Sequence, residues 1–371
     1  MKWVFWVSLL FTLYTYGGYP AWLCLRTLCR PLRVRCAPFL PSISFVMAVH
    51  NEAQVLPRKL RNLSELDYPA DHCEIVAVSD GSSDATNEIL AGWPKGRLRA
   101  LASPRHEGKA SALNRGIGAA QGEIVVFTDA RQDIHRDAIR YLVSNFADPS
   151  VGCVSGELML EDPGHGVAGK GVGIYWALEK KIREWEGASG SMVGATGALY
   201  AVRRDLLVSL PTATLLDDVY LPLHVARQGR RVIFEPRARV FDSAVSVEKE
   251  FRRKVRTLTG NYQLLRLAPW LLSRENPIKF EFVSHKLFRL WVPFALLALL
   301  VSSLFLRGAF YQLMFVLQCI FYSMGAAALL RPRLEFFRRW SEVPLAFLVL
   351  NTAAAVALVY FLKDEKEVWV R

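Results

Sequence analysis

Hydrophobic positions follow two different patterns along this chain. Uncharged apolar runs stand at both ends, over residues 3–25, 290–306, 308–330 and 343–362. A membrane-spanning helix needs about 20 such residues, within a tolerated range of roughly 17–25. The pattern therefore predicts one span at the start and three at the end. Between them the apolar runs are short. Residues 44–49 read as a buried strand, and Leu56, Leu60 and Leu63 then fall on one helical face. Further strands are expected over 74–78, 98–102 and 123–128, with a helix over 110–119 between the last two. Strands alternating with helices, and acidic residues at the strand carboxyl ends, predict a parallel α/β sheet with its site along that edge.

Flanking charge orients the spans. Lys2 precedes the first, whereas Arg26, Arg30, Arg33 and Arg35 follow it, which puts the middle of the chain in the cytoplasm of an inner or plasma membrane. Arg331, Arg333, Arg338 and Arg339 give the same side, and four crossings would leave the tail opposite. The first run is long and lacks a small-x-small cleavage site, so it reads as a retained span rather than a signal peptide. The expected division is a transmembrane helix over 1–28, a catalytic domain over 40–242, a basic interfacial segment over 243–285 and transmembrane helices over 286–362.

Composition narrows the classes. The 371 residues are 52% apolar and 22% charged, and 46 Lys and Arg against 34 Asp and Glu leave a net charge of +12. That excludes a disordered chain or an acidic solvating protein and favours anionic partners, phosphates and anionic lipid among them. The basic residues cluster at the membrane junctions rather than on one solvated face, so no nucleic-acid partner is expected. Cys24, Cys29, Cys36, Cys73, Cys153 and Cys319 have neither CxxC nor zinc-ligand spacing and read as reduced thiols.

Two glycine patterns fail as nucleotide motifs. Gly108-Lys109 lacks the first glycine and the hydroxyl residue of a phosphate loop, having Ser103 and Ala110 there instead. Gly169, Gly171 and Gly173 lack the last glycine of a dinucleotide fingerprint, where Ile174 stands. What stays is a series of carboxylates: Glu52, Asp80 with Asp84, Asp129, and Asp217-Asp218. Singly, Asp84 and Asp218 also read as helix caps. Together they mark the mouth of one sheet.

In order, the chain shows Ala48-Val49-His50-Asn51-Glu52, Ser79-Asp80-Gly81-Ser82-Ser83-Asp84 and Gly108-Lys109-Ala110 with Ala112-Leu113-Asn114. Phe127-Thr128-Asp129-Ala130, Gly194-Ala195-Thr196-Gly197 and Leu216-Asp217-Asp218 follow. Over residues 42–240 this series resembles the family 2 glycosyltransferases, inverting enzymes of GT-A fold, in a membrane-embedded form. The resemblance implies that Glu52 and Asp80 bind ribose and base. Lys109 and Asn114 would line the donor pocket, with Lys109 near the diphosphate, and Asp129 would hold a divalent cation, Mg2+ or Mn2+. It also implies that Asp218 takes the acceptor proton with Asp217 behind it, and that Gly194, Thr196 and Gly197 sit on the acceptor side.

Two departures change the picture. The Asp-x-Asp of the family reads Asp129-Ala130-Arg131, and a guanidinium suits phosphate oxygens rather than a metal, so weakened metal dependence is expected. The QxxRW of processive synthases reads Arg253-Lys254-Val255-Arg256-Thr257, which leaves Arg256 for the diphosphate. Lys249, Arg252 and Lys254 read equally as a face on anionic headgroups. The expected function is a membrane-bound transfer of sugar from a nucleotide-sugar, a UDP-sugar first, to a lipid-linked or membrane-associated saccharide. A processive synthase and a polyprenyl-phosphate glycosyltransferase are the alternatives. A nucleotidyltransferase would need a basic Gly-rich loop after 44–49, and an inactive scaffold would not need all three carboxylates.

Overall fold

A computed structural model describes residues 1–94, 96, 98–161, 170–243, 247–330 and 335–363. Gly169, Arg331, Arg333 and the tail past Lys363 lie outside them. The strands are β1 (Ile43–Val49), β2 (Cys73–Asp80), β3 (Leu98–Ser103), β4 (Ile124–Thr128), β5 (Asp133–Ile134), β6 (Val151–Glu161), β7 (Leu199–Arg203) and β8 (Arg231–Ser243). They form one sheet in the order β3-β2-β1-β4-β7-β6-β8-β5.

Only part of that sheet is parallel. β1 pairs in parallel with β2 and β4, and β2 with β3, but β7 runs antiparallel to both β4 and β6. β8 is parallel to β6 and antiparallel to β5. The expected parallel sheet is thus a mixed one, because a short apolar run predicts a strand but not its direction. The reversal has a consequence. Val49 lies beside Ser79 and Val46 beside Phe127, so Glu52, Asp80 and Asp129 follow strands that end at one edge. β7 starts at that edge, with Leu199 opposite Thr128, and this brings the 194–198 segment beside Asp129.

Side chains alternate across the sheet with the period of two that a pleated strand imposes. Val46, Val76, Val78, Val125 and Phe127 face α5 (Lys109–Ala119) and α8 (Asp217–Arg227). Phe45, Met47, Ile75 and Val126 face the opposite core, with Leu56, Leu60 and Leu63 of α3 (Leu56–Ser64). α4 (Thr86–Gly92) and α6 (Ala138–Ser144) complete the layers. Asp84 caps the start of α4, accepting the Thr86 N–H at 3.0 Å.

α1 (Lys2–Leu13) and α2 (Tyr19–Cys29) join through a π-helical turn. α7 (Lys170–Ser189), α9 (Val247–Leu267) and α10 (Lys279–Phe282) lead toward α11 (Phe288–Phe305), α12 (Ala309–Leu330) and α13 (Glu335–Lys363). Three helical runs, Lys279–Phe305, Ala309–Ala328 and Ser341–Lys363, are long and apolar enough to cross a membrane. α1 packs on α11, where the Phe11 and Phe288 ring centroids are 4.9 Å apart.

Two connections tie these helices to the sheet. His285 meets Glu186 at 2.7 Å and Glu179 at 3.1 Å, and Arg289 donates to Glu179 at 2.6 Å, so α7 is anchored by buried charge. α9 passes close to the segment before α8: a Cβ on Gly260 would fall 2.5 Å from Leu216 Cγ. There Gln263 accepts the Leu215 N–H at 3.0 Å and donates to the Ala213 carbonyl at 2.9 Å.

Candidate active site

A cavity of about 570 Å³ opens along the edge where β4 ends and β7 begins. Lys109, Asp129, Arg131, Thr196, Gly197, Asp217, Asp218 and Arg256 all line it. Lys109, the first residue of α5, holds its Nζ 3.0 Å from Asp129 Oδ1 and 3.2 Å from Asp217 Oδ1. Asp217 is buried and also accepts from the Tyr200 hydroxyl at 3.4 Å. Both residues of the Asp217-Asp218 pair therefore reach the cavity, Asp217 toward Lys109 and Asp218 toward the glycine segment. A Cβ on Gly197 would lie 3.0 Å from Asp218 Oδ2, and the Ala195 N–H donates to the Asp218 carbonyl at 2.7 Å.

Asp218 titrates unusually. Burial first, then the charge of Asp217, push its carboxyl up to about 6, against the opposing pull of Lys109 and Lys286. The lowering expected from its place at a helix start is outweighed. A carboxylate so poised gains basicity while still being mostly ionised at neutral pH.

The far wall is cationic and partly aromatic. Arg253, Lys254 and Arg256 of α9 face Trp176 and Lys180 of α7 across it. Lys254 Nζ lies 4.6 Å from the centre of the Trp176 ring, and burial lowers its pKa. Lys254 is therefore a wall residue rather than a headgroup contact. Arg252 is exposed and pairs with Glu248 at 2.8 Å, while the side chain of Lys249 lies outside the described residues.

The family model for Glycosyl transferase family 2 matches residues 44–209, the stretch that builds this edge from β1 through β7. The chain carries a family 2 glycosyltransferase domain. A Bacillus subtilis relative named "Probable glycosyltransferase YdaM" is 25% identical over 334 residues, covering 84% of this chain and 76% of that protein. Poly-beta-1,6-N-acetyl-D-glucosamine synthase of Staphylococcus aureus is 28% identical over 205 residues, or 54% of this chain. The chain spans about half the length of that synthase, 49%. Among solved structures, mannosyltransferase PcManGT from Pyrobaculum calidifontis, in complex with GDP-Man and Mn2+, matches with a TM-score of 0.74. It is 24% identical, and the match covers 98% of this chain and 99% of that one. The fold is GT-A, and the protein is a glycosyltransferase.

Four of the expected site residues do not line the cavity of this glycosyltransferase. Asp80 is 2% exposed, and its carboxylate is engaged by the chain itself. Oδ1 accepts the Glu107 N–H at 2.9 Å, while Oδ2 accepts the Gly108 N–H at 2.8 Å and lies 2.9 Å from His106 Nδ1. These contacts tie Asp80 to the loop that delivers Lys109. Asn114 donates to and accepts from the main chain of Leu210 at 2.8 Å each. Glu52 lies on the adjoining β1 loop, where its N–H meets Thr86 Oγ1 at 3.0 Å. Gly194 stands behind the cavity, against Val219.

Other cavity or supporting residues carried no readable signal. Lys59 is fully buried on the apolar face of α3 and donates to Thr128 Oγ1 at 2.8 Å and to the Gln132 carbonyl at 2.7 Å. It braces the turn that presents Asp129, and burial pushes its pKa down to about 7. Arg183 donates to Thr196 Oγ1 at 2.7 Å. Lys180 and Arg183 share a helical face at i,i+3 spacing, a pattern visible in the sequence once α7 is known to cross the site.

Proposed function

We propose that this glycosyltransferase moves a sugar from a nucleotide-sugar to a hydroxyl of a lipid-linked or membrane-associated saccharide, with inversion at the anomeric carbon. The observation that carries the reading is the convergence of Asp129, Asp217 and Asp218 with Lys109 on one cavity at the sheet edge. The acceptor oxygen forms its bond to the anomeric carbon as the bond from that carbon to the diphosphate breaks. Asp218 receives the hydroxyl proton, and the electron pair leaves with the diphosphate. Lys109, Arg131 and Arg256 supply positive charge where negative charge develops, which is the most effective place for it.

Glu52 and the loop held by Asp80 are assigned to the nucleoside end. The oxygen-only character of Asp129 suits Mg2+ or Mn2+, which commonly bind through one or two carboxylates plus substrate phosphates. Among the described residues no cluster of three or more potential ligands forms a metal site by itself, so the donor diphosphate would complete the set. When bound, such a cation would neutralise the departing diphosphate.

A base within the cavity supports a hydroxyl acceptor over a polyprenyl phosphate, whose oxygen needs no deprotonation. The altered QxxRW position supports one or a few additions over a processive synthase. The arginines after α2 support a cytoplasmic catalytic face and contact with anionic lipid. The test uses detergent-purified full-length protein with UDP-, GDP- and dTDP-sugars, scoring nucleotide release with and without membrane lipid extract. Acceptor-dependent release from one nucleotide class, a UDP-sugar first, is the expected result. No release from any of them overturns the reading.

A further inference from the structure

The sheet order also orders the cavity. Loops after β2 and β1 flank one end, Asp129 and Gly197 stand at the middle strands, and β6, β8 and the entry to β5 build the other end. Two buried oxygens at that last end lack a partner among the described residues: Glu157 Oε2 and Gln132 Oε1. Glu157 is 6% exposed and Gln132 is 5% exposed, and both line the cavity.

Their orientation is set by their other contacts. Glu157 Oε1 is paired with Lys180. Gln132 gives its Nε2 to Asp242 Oδ2 at 2.9 Å, and because a carboxylate only accepts, that bond fixes Oε1 as the free end of the amide. Buried polar atoms are ordinarily satisfied, and exceptions call for an explanation. Both unpaired atoms are acceptors, so a group that satisfies them brings donors. The nearby cations are engaged, Lys180 by Glu157 and Arg183 by Thr196 Oγ1 and Glu179. A phosphate brings no donors and meets a carboxylate, whereas hydroxyls of a neutral sugar fit both oxygens.

We propose that Glu157 and Gln132 form a hydroxyl-reading subsite for the saccharide acceptor, at the end of the cavity away from the nucleotide. This rests on the transfer reading above and deepens it: the acceptor presents a sugar ring, not a phosphate, beside Asp218. The two oxygens select the ring by the position of its hydroxyls, since a site built to bond a hydroxyl rejects an analogue lacking it.

The test titrates full-length protein in detergent with methyl glycosides of glucose, galactose, mannose and N-acetylglucosamine, and with their monodeoxy analogues. Nucleotide-sugar is titrated in parallel. At least one glycoside binds, and loss of one particular hydroxyl weakens it about tenfold or more. Gln132→Met weakens the parent glycoside similarly and abolishes discrimination against one deoxy analogue, as coupling in a double-mutant cycle requires. Glu157→Met combined with Lys180→Met does the same for another analogue without leaving an orphaned ammonium. Nucleotide-sugar Kd stays within about twofold in each. Unchanged glycoside affinity in both variants, absence of glycoside binding, or displacement of the glycoside by inorganic phosphate overturns the proposal. Failure of the wild-type protein to bind any nucleotide-sugar overturns the transfer reading instead.

Discussion

The Lys109 ammonium lies 3.0 Å from the Asp129 carboxylate, at the start of a helix whose preceding N–H, that of Gly108, is held by Asp80. One cation thus links the buried acid at the end of β2 to the cavity acid at the end of β4. It also reaches Asp217 and draws the Asp218 carboxyl downward. Replacing Lys109 by Met removes charge-assisted bonds of about 1.5–3 kcal/mol each. Steady-state kinetics should show kcat/KM lowered by roughly 10–100-fold or more. Because Lys109 opposes the rise of the Asp218 pKa, the acid limb of the pH profile should also move above its wild-type position. An unmoved limb would remove Lys109 from the electrostatics of the base.

Asp218 itself sets that limb. Its carboxyl is raised to about 6, so kcat/KM should rise with pH through about 6 and level off above it. Asp218→Asn should lower transfer by about 10²–10⁴-fold while nucleotide-sugar affinity is kept. A folded pKa above the ordinary carboxyl value means that the protonated form is favoured in the fold. The stability this confers is complete below the unfolded value near 3.8 and is lost as pH rises through about 6. At pH 7.5 the Asn variant should therefore melt higher, by about 2–5 °C, and at pH 3.5 the gain should vanish. Calorimetry at the two pH values checks the sign.

Much of this arrangement was legible in the chain, and the gaps have physical causes. The runs before Asp80 and Asp129 read as buried strands because parallel central strands are apolar throughout. Strand direction after β4 was not readable, and β7 and β6 turned out to deliver Gly197 and Glu157 to the same edge. A strand-end carboxylate held by its own chain and one that faces a ligand look alike in sequence; only coordinates show Glu107 and Gly108 donating to Asp80. Lys59 escaped notice for the opposite reason. Lysine is almost never fully buried unless paired, so nothing in the sequence marks this position as an interior one.

Gly81 makes the Asp80 loop possible. It has φ +63°, and a Cβ there would fall 2.3 Å from the His106 N and 2.5 Å from the Arg105 carbonyl carbon. No side chain beyond glycine fits that backbone approach. Gly81→Ala should push the 105–108 loop away and weaken its bonds to Asp80. Nucleotide-sugar Kd should rise about tenfold or more, with a stability loss of about 1–3 kcal/mol. Fluorescence titration and denaturant melts measure both. Intact donor affinity in this variant would separate the loop from the nucleotide.

Gly197 tests the geometry of the base from the other side. An Ala Cβ would stand 3.0 Å from Asp218 Oδ2, tight enough to move the carboxylate by a few tenths of an ångström. Misplacing a reacting group by about 1 Å can cost about 10²-fold, so a shift of this size should lower kcat by about 3–10-fold. Donor affinity should stay unchanged if Gly197 lies on the proposed acceptor side of Asp218, which titration of nucleotide-sugar checks.

Arg131 decides how far the reaction depends on a cation. It lines the cavity two residues after Asp129, where the family pattern carries a second carboxylate, and its main-chain carbonyl is pinned by Arg58 at 2.5 Å. With an arginine there, part of the charge facing the diphosphate would belong to the protein. Wild-type transfer should fall on exhaustive chelation yet persist measurably. Arg131→Asp rebuilds the two-carboxylate pattern on the same braced turn. It should bind Mn2+ about tenfold more tightly, since affinity follows the number of charged oxygen ligands. Paramagnetic titration of free Mn2+ in the presence of nucleotide reads that change without any turnover. Activity of the variant should in turn become strictly metal-dependent, because the permanent charge of the guanidinium is gone. If the Mn2+ titrations of the two proteins coincide, Asp129 is not at the cation and the charge on the leaving group is met by Lys109, Arg131 and Arg256 alone.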